Sequence, residues 1–276
     1  MIKPRPQESV SKDTGGVRRN IIHLFQVKVW ENQGAEYKIL YRKRKRVRSD
    51  DGGQERNMLE KLKQDVCNVA KRAQQDGLCK HKSGNFSTRD PESGCVVITP
   101  TGVDRDLLTP DDMIVMDMNA DVIENLSGLR PTSEALMHLM IYRQRPDAAA
   151  VVHTHSLYAT ACAVLNKPIP AIVYEIEHLG VTKARIPVAP YGRPGTAELA
   201  DSVVDSCREA DCFLLEKHGA VALDSRNIYE AFLKAAYVEE LAELYHHVLT
   251  MNDWREPASF TQDELQKWKY PSEIKL

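Results

Sequence analysis

Two apolar runs, residues 212–216 (Cys-Phe-Leu-Leu-Glu) and 219–223 (Gly-Ala-Val-Ala-Leu), are separated only by Lys217-His218. Each has the length of a strand, and a two-residue gap leaves no room for a crossover helix. The pair therefore reads as a hairpin, which excludes a sheet built wholly from βαβ units. The rest of the chain alternates helix and strand patterns. Leu59, Leu62, Val66, Cys67, Val69 and Ala70 recur at helical spacing, predicting a helix over 58–75 that ends near Gly77. Gly84–Arg89 reads as a turn entering a strand, and further strands are expected at 95–99, 113–117, 148–152 and 185–189. Helices are expected from Pro131 to about Gln144, from Ser156 to Leu165, and over 196–209 and 227–250. The fold class is α/β: a single domain whose central mixed or antiparallel sheet is flanked by helices.

A length of 276 residues accommodates one large domain, and 42% hydrophobic residues suffice for its core. Residues 1–57 differ from the rest. They are polar and locally basic, with only Ile21–Phe25 and Tyr37–Tyr41 able to pack, and they read as a disordered extension, a hairpin-like lead-in or a product of an upstream start before Met58. The catalytic region is expected over 58–250 and a tail over 251–276. The net charge of -2 gives no case for nucleic acid or membrane partners, and the basic block Arg42–Arg48 lacks aromatic interleaving, so it reads as a solvated charge run. Six cysteines without a CxxC pair read as reduced thiols of a cytoplasmic protein. No signal peptide or membrane-length apolar run is expected.

Several residues could carry chemistry. His153 and His155 follow the apolar run 148–152, and side chains two apart on a strand share a face. The pair alone fits two metal ligands or one packed and one exposed histidine equally well. His218 sits in the hairpin turn before Gly219, where it is either a site residue or an ordinary turn histidine. Glu134 falls in the first turn of an expected helix, where a carboxylate is commonly a cap. Gly84-Asn85, Thr101-Gly102 and Thr132-Ser133 are small polar pairs at turns or a helix start, each able to present amides and hydroxyls to an anion. Neither GxGxxG nor a Gly-x-x-x-x-Gly-Lys-Ser/Thr loop is present, so dinucleotide and ATP readings lack a motif.

In order along the chain, "SGNFSTR", "ITPTGVDRDLLTPDDMIVMD", "RPTSEALMHLMIY", "VVHTHSLYATACAVLNKPIPAI" and "LLEKHGAVA" resemble the class II aldolase/adducin family, and within it the sugar-phosphate aldolases. The resemblance covers about residues 58–250. It implies that His153, His155 and His218 hold a metal, normally Zn2+, and that Glu134 is both a resting ligand and the catalytic acid/base. It implies that Gly84, Asn85, Thr101, Gly102, Thr132 and Ser133 bind the substrate phosphate; Thr132-Ser133 stands where the family more often has Ser-Ser. Tyr174 matches a tyrosine near the aldehyde end of the substrate.

The implied activity is zinc-dependent cleavage of a ketose 1-phosphate to dihydroxyacetone phosphate and a small aldehyde, in a homo-oligomer, commonly a tetramer. Within the same family, a sugar-phosphate 4-epimerase and a methylthioribulose-1-phosphate dehydratase are the alternatives. The glutamate at 134 disfavours the epimerase, whose relatives typically carry aspartate. An adducin-like interaction module is the third, and it should have lost the histidines. The tail, with Trp254, Phe260, Trp268 and Tyr270, could cover the site or pack on a neighbour.

Overall fold

A computed structural model describes residues 52–267 of the chain. The stretches Ile21–Phe25 and Tyr37–Tyr41, the basic block, Trp268 and Tyr270 lie outside the described residues. The first helix, α1 (Gly52–Gln75), begins earlier than the expected Met58, because the polar residues 52–57 carry no apolar period that could announce it. Four antiparallel strands follow α1's layer: β1 (Asn85–Arg89), β2 (Val96–Ile98), β3 (Ile114–Met116) and β4 (Val122–Glu124). Then come α2 (Ala135–Gln144), β5 (Ala150–Thr154), α3 (Leu157–Val164) and β6 (Ile169–Pro170). The chain continues through β7 (Arg185–Ile186), β8 (Val188–Ala189), α4 (Ala197–Ser202), α5 (Val204–Glu209) and β9 (Cys212–Leu215). It closes with β10 (Gly219–Asp224), α6 (Ile228–Met251) and α7 (Gln262–Leu265).

The main sheet has eight strands in the order β4-β3-β2-β1-β5-β10-β9-β8, and β6 and β7 form a separate pair. Every neighbour in the large sheet is antiparallel except β8 and β9. The sheet is thus mixed and mostly antiparallel, as the Lys217-His218 hairpin requires: Gly219 pairs with Leu215 across it. The expected strand over 185–189 is divided between two sheets at Pro187, which has no N–H to contribute to a continuous ladder. The expected helix over 196–209 divides at Val203 into α4 and α5.

Alternation along β5 separates the core into two layers. Ala150 and Val152 pack with Val66, Val69 and Phe232 from α1 and α6, whereas Val151 packs with Leu139, Tyr142 and Cys207 from α2 and α5. Buried side chains of this kind are each worth roughly 1.5–3 kcal/mol on removal from water. His153 continues the parity of Val151 and so points to the α2 layer. Directly opposite His153 on β1 is Asn85, and opposite Val151 is Ser87. That register brings polar residues of β1 and β5 against the face of α2 that begins at Glu134.

Candidate active site

The expected ligand histidines converge. His153 ends β5, His155 follows it, and His218 leaves the turn into β10, the strand paired with β5. Their ring centroids lie 4.8 Å (His153–His155), 4.8 Å (His153–His218) and 4.9 Å (His155–His218) apart. One donor atom from each falls within 4.8 Å of the others. Gly219 makes this approach possible: a Cβ there would lie 2.3 Å from the Thr154 carbonyl oxygen and 3.2 Å from Cε1 of His153. Lys217, with φ 57, takes the left-handed conformation needed to close the turn.

Glu134 joins the cluster. It precedes α2 with φ -98 and ψ 16, and its side chain makes no capping bond; the carboxylate turns inward instead. Oε2 lies 3.2 Å from His153 Nε2 and Oε1 lies 3.1 Å from His218 Nε2, while Asn85 Nδ2 donates to Oε2 at 2.7 Å. Burial acts to raise the carboxyl's pKa, but the hydrogen bonds to His218 and Asn85 outweigh it and hold Glu134 well below the usual carboxylate range. Burial pushes His153 down to about 3, and it also lowers His155, so both imidazoles are neutral at physiological pH.

The donor set fits a divalent metal. His153 Nδ1 lies 2.9 Å from the Ala220 carbonyl, which accepts only the Nδ1–H tautomer and leaves Nε2 with a lone pair. That lone pair faces His155 Nε2 at 2.9 Å and a carboxylate oxygen at 3.2 Å. Three imidazoles gathered this closely beside a carboxylate are a zinc-type donor set.

Glu134, His155 and His218 of the cluster line a cleft of about 280 Å³. Its wall includes Gly84, Asn85, Thr101, Thr132, Ser133, Glu134, His155 and His218. Backbone bonds tie these segments together: Thr101 N–H donates to the Arg130 carbonyl, Thr132 N–H to that of Thr99, and Thr99 N–H to that of Phe86, next to Asn85. Gly84 has φ +75, and a Cβ there would meet Cys79 Sγ at 2.4 Å and the His153 carbonyl oxygen at 2.8 Å, so glycine is required. Gly102, with φ +74, shapes the Thr101 turn but is not itself among the lining residues.

Tyr174 does not come together with these groups. It lies in a short 3₁₀ segment, its hydroxyl donates to the Leu265 carbonyl at 2.6 Å, and its ring meets Phe260 edge-on at 5.9 Å. Two basic residues of the wall, Lys82 and Arg105, escaped sequence reasoning. Arg105 is buried, with 2% of its surface exposed, and its Nη2 donates to the carbonyls of Lys82, Ser83 and Gly84. Its Nε and Nη1 have no hydrogen-bond partner among the described residues. The segment "TGVDRD" shows a basic residue just past the Thr101-Gly102 turn, but nothing in it announces burial behind Gly84.

Residues 64–246 match the model of the class II aldolase and adducin N-terminal domain. The chain belongs to the class II aldolase and adducin family. Within that family it is 37% identical to an L-fuculose phosphate aldolase of Escherichia coli, over 78% of this chain and 96% of that protein. It is 34% identical to a 5-deoxy-D-ribulose 1-phosphate aldolase of Bacillus thuringiensis, over 76% of this chain and 94% of that one. A solved L-fuculose 1-phosphate aldolase superposes with a TM-score of 0.69 at 33% identity, covering 75% and 93% of the two chains. The class II aldolase fold thus accounts for the sheet and both helical layers. All six cysteines are free thiols, and among the described residues no helix is long and apolar enough to cross a membrane.

Proposed function

We propose that this protein is a zinc-dependent aldolase that cleaves a ketose 1-phosphate to dihydroxyacetone phosphate and a small aldehyde. The observation that carries the reading is that three convergent histidines and a buried glutamate stand at a cleft walled by small polar residues and a buried arginine. His153, His155 and His218 would hold the metal, with Glu134 beside them. A bound zinc supplies the Lewis acidity that a developing enediolate requires.

Glu134 moves the proton. Its low pKa keeps it ionised, so it is ready to accept the proton from the hydroxyl whose oxygen becomes the aldehyde, and to return it to the enediolate carbon left by the broken bond. Gly84, Asn85, Thr101, Thr132 and Ser133 bind the phosphate, with Gly102 setting the Thr101 turn, so that binding energy from a non-reacting group orients the bond to be broken. Arg105 holds the carbonyls of the 82–84 loop and would add positive charge behind the phosphate. Tyr174 is proposed to act at the aldehyde end. The protein is proposed to act as a homo-oligomer, most simply a tetramer, in the cytoplasm.

Relatives named for L-fuculose phosphate, 5-deoxy-D-ribulose 1-phosphate and 5-methylthioribulose-1-phosphate support a substrate with an apolar or thioether end distal to the phosphate. Incubation with a panel of such ketose 1-phosphates tests the reading. Release of dihydroxyacetone phosphate from at least one supports it. Loss of water with the carbon chain intact would instead indicate the dehydratase, and inversion at C4 the epimerase.

A further inference from the structure

Behind Glu134 and Asn85 runs a file of buried polar groups, and the proposed chemistry gives its other members no role. Glu134, His138 and Tyr142 recur every fourth residue on one face of α2, and Asn85 and Ser87 alternate onto the facing side of β1. The five side chains interleave. Asn85 Nδ2 meets Glu134 Oε2 at 2.7 Å, His138 Nε2 meets Asn85 Oδ1 at 2.6 Å, Ser87 Oγ meets His138 Nδ1 at 2.7 Å, and Tyr142 OH meets Ser87 Oγ at 2.8 Å. None of the five exposes more than 6% of its surface.

The carboxylate fixes the direction of every bond in this file. An ionised carboxylate only accepts, so the Asn85 amide must turn its NH2 towards Glu134 and its carbonyl towards His138. His138 must then carry its proton on Nε2, leaving Nδ1 to accept from the Ser87 hydroxyl. Ser87, having donated, accepts from Tyr142. Burial pushes His138 down to about 4, in keeping with a neutral ring. All hydrogens point towards Glu134, and bonds aligned in this way reinforce one another.

We infer that His138 is a positioning residue that locks the Asn85 amide in the one orientation able to hold the Glu134 carboxylate for proton transfer. The inference rests on Glu134 being the proton-handling group proposed above. Its weight comes from the histidines: a ring nitrogen that ligates a metal has no proton left to donate, so His153 and His218 cannot hold the carboxylate through Nε2 once they serve as ligands. Asn85 is the remaining donor among the bonds described. Without His138 the Asn85 carbonyl loses its partner in the file, and the amide is held beside the carboxylate by one hydrogen bond instead of two. The same amide lines the cleft, so His138 also ties the acid/base to the wall that receives the phosphate.

Two measurements test this. In the unmodified protein labelled with ¹⁵N-histidine, zinc-free and zinc-loaded, His138 should appear as the neutral Nε2–H tautomer; an Nδ1–H tautomer would overturn the inference without reference to any activity. In kinetics, His138→Leu should lower kcat by about 10–100-fold, the usual cost of removing a partner that orients a site residue, with zinc stoichiometry and KM close to the parent. His138→Gln, which restores an amide donor facing Asn85, should recover most of that loss. Equal impairment of the two variants, or a leucine variant with parent kcat, would refute the positioning role. A parent that cleaves no ketose 1-phosphate refutes the aldolase reading, and the tautomer still decides this one.

Discussion

Gly219→Ala should perturb the proposed metal cluster without replacing any of its proposed ligands. The added methyl would sit 2.3 Å from the Thr154 carbonyl oxygen, and since Cβ atoms essentially never approach closer than 3.0 Å, something must move. The obstacle is backbone on the paired strand, where Thr154 faces Ala220, so no side-chain rotation relieves it. β5 and β10 must open by roughly 0.7 Å, whereas metal–ligand distances hold to about ±0.2 Å. His218 rides on the moving strand and His153 and His155 on the other, so the set loses one ligand. Zinc affinity should fall by about 100-fold, at the upper end of what disturbed ligand orientation costs, and the metal-free protein should lose ~1–3 kcal/mol from overpacking. Competition against a chromophoric chelator measures the first, and urea unfolding of the metal-free protein the second. Parent zinc affinity in Gly219→Ala would refute the claim that strand spacing sets the site.

Other substitutions separate the remaining roles. Glu134→Gln should retain most of the metal and bind a phosphorylated enediolate analogue, yet lose turnover by about 10²–10⁴-fold, the contribution of a positioned acid/base; parent turnover would exclude Glu134 from proton transfer. Arg105→Leu should raise KM for the ketose phosphate about 10-fold or more, as expected when a charge-assisted contact worth ~1.5–3 kcal/mol is lost, while Arg105→Lys should fall between it and the parent. His138 contributes to the pH dependence of stability alongside His153 and His155: its folded pKa of about 4 is below that of an unfolded histidine, so the unfolded chain binds the extra proton first as pH falls. The stability of the metal-free protein should decline from about pH 6.5 towards pH 4, and His138→Gln should remove about 1.4 kcal/mol per pH unit from that slope, read by urea unfolding across the range.

Much of this molecule was legible in its sequence because the relevant signals are local. Lys217-His218 between two apolar runs could only be a tight connection, and it fixed the antiparallel core as β9 and β10. The HxH spacing put His153 on a definite strand face, although His155 lies past the strand end and reaches the site from the following turn. The polar start of α1 stayed hidden because it has no apolar period, and β4 and β6 because so few residues carry little pattern. Glu134 illustrates a competing local reading: a first-turn carboxylate ordinarily caps its helix, and only the β1–β5 register, which brings Asn85 opposite His153, reveals why it turns inward. Arg105 was concealed within a polar turn, since nothing local announces that its guanidinium is buried behind Gly84. His138 was visible in principle, four residues from Glu134, with Asn85 and Ser87 two apart, but their pairing requires the register. Tyr174 matched by position, yet in this chain its hydroxyl is engaged with Leu265.

The central claim joins a three-histidine metal site to carbon–carbon cleavage, and one measurement addresses both. The purified protein is stripped with chelator, reconstituted with graded zinc, and assayed on a 5-deoxypentulose or 6-deoxyhexulose 1-phosphate for dihydroxyacetone phosphate and aldehyde together. The expected result is no cleavage by the stripped protein, recovery that saturates at one zinc per chain, and equimolar release of the two products. Cleavage that persists at full rate in the stripped protein, or substrate loss without dihydroxyacetone phosphate, would contradict it.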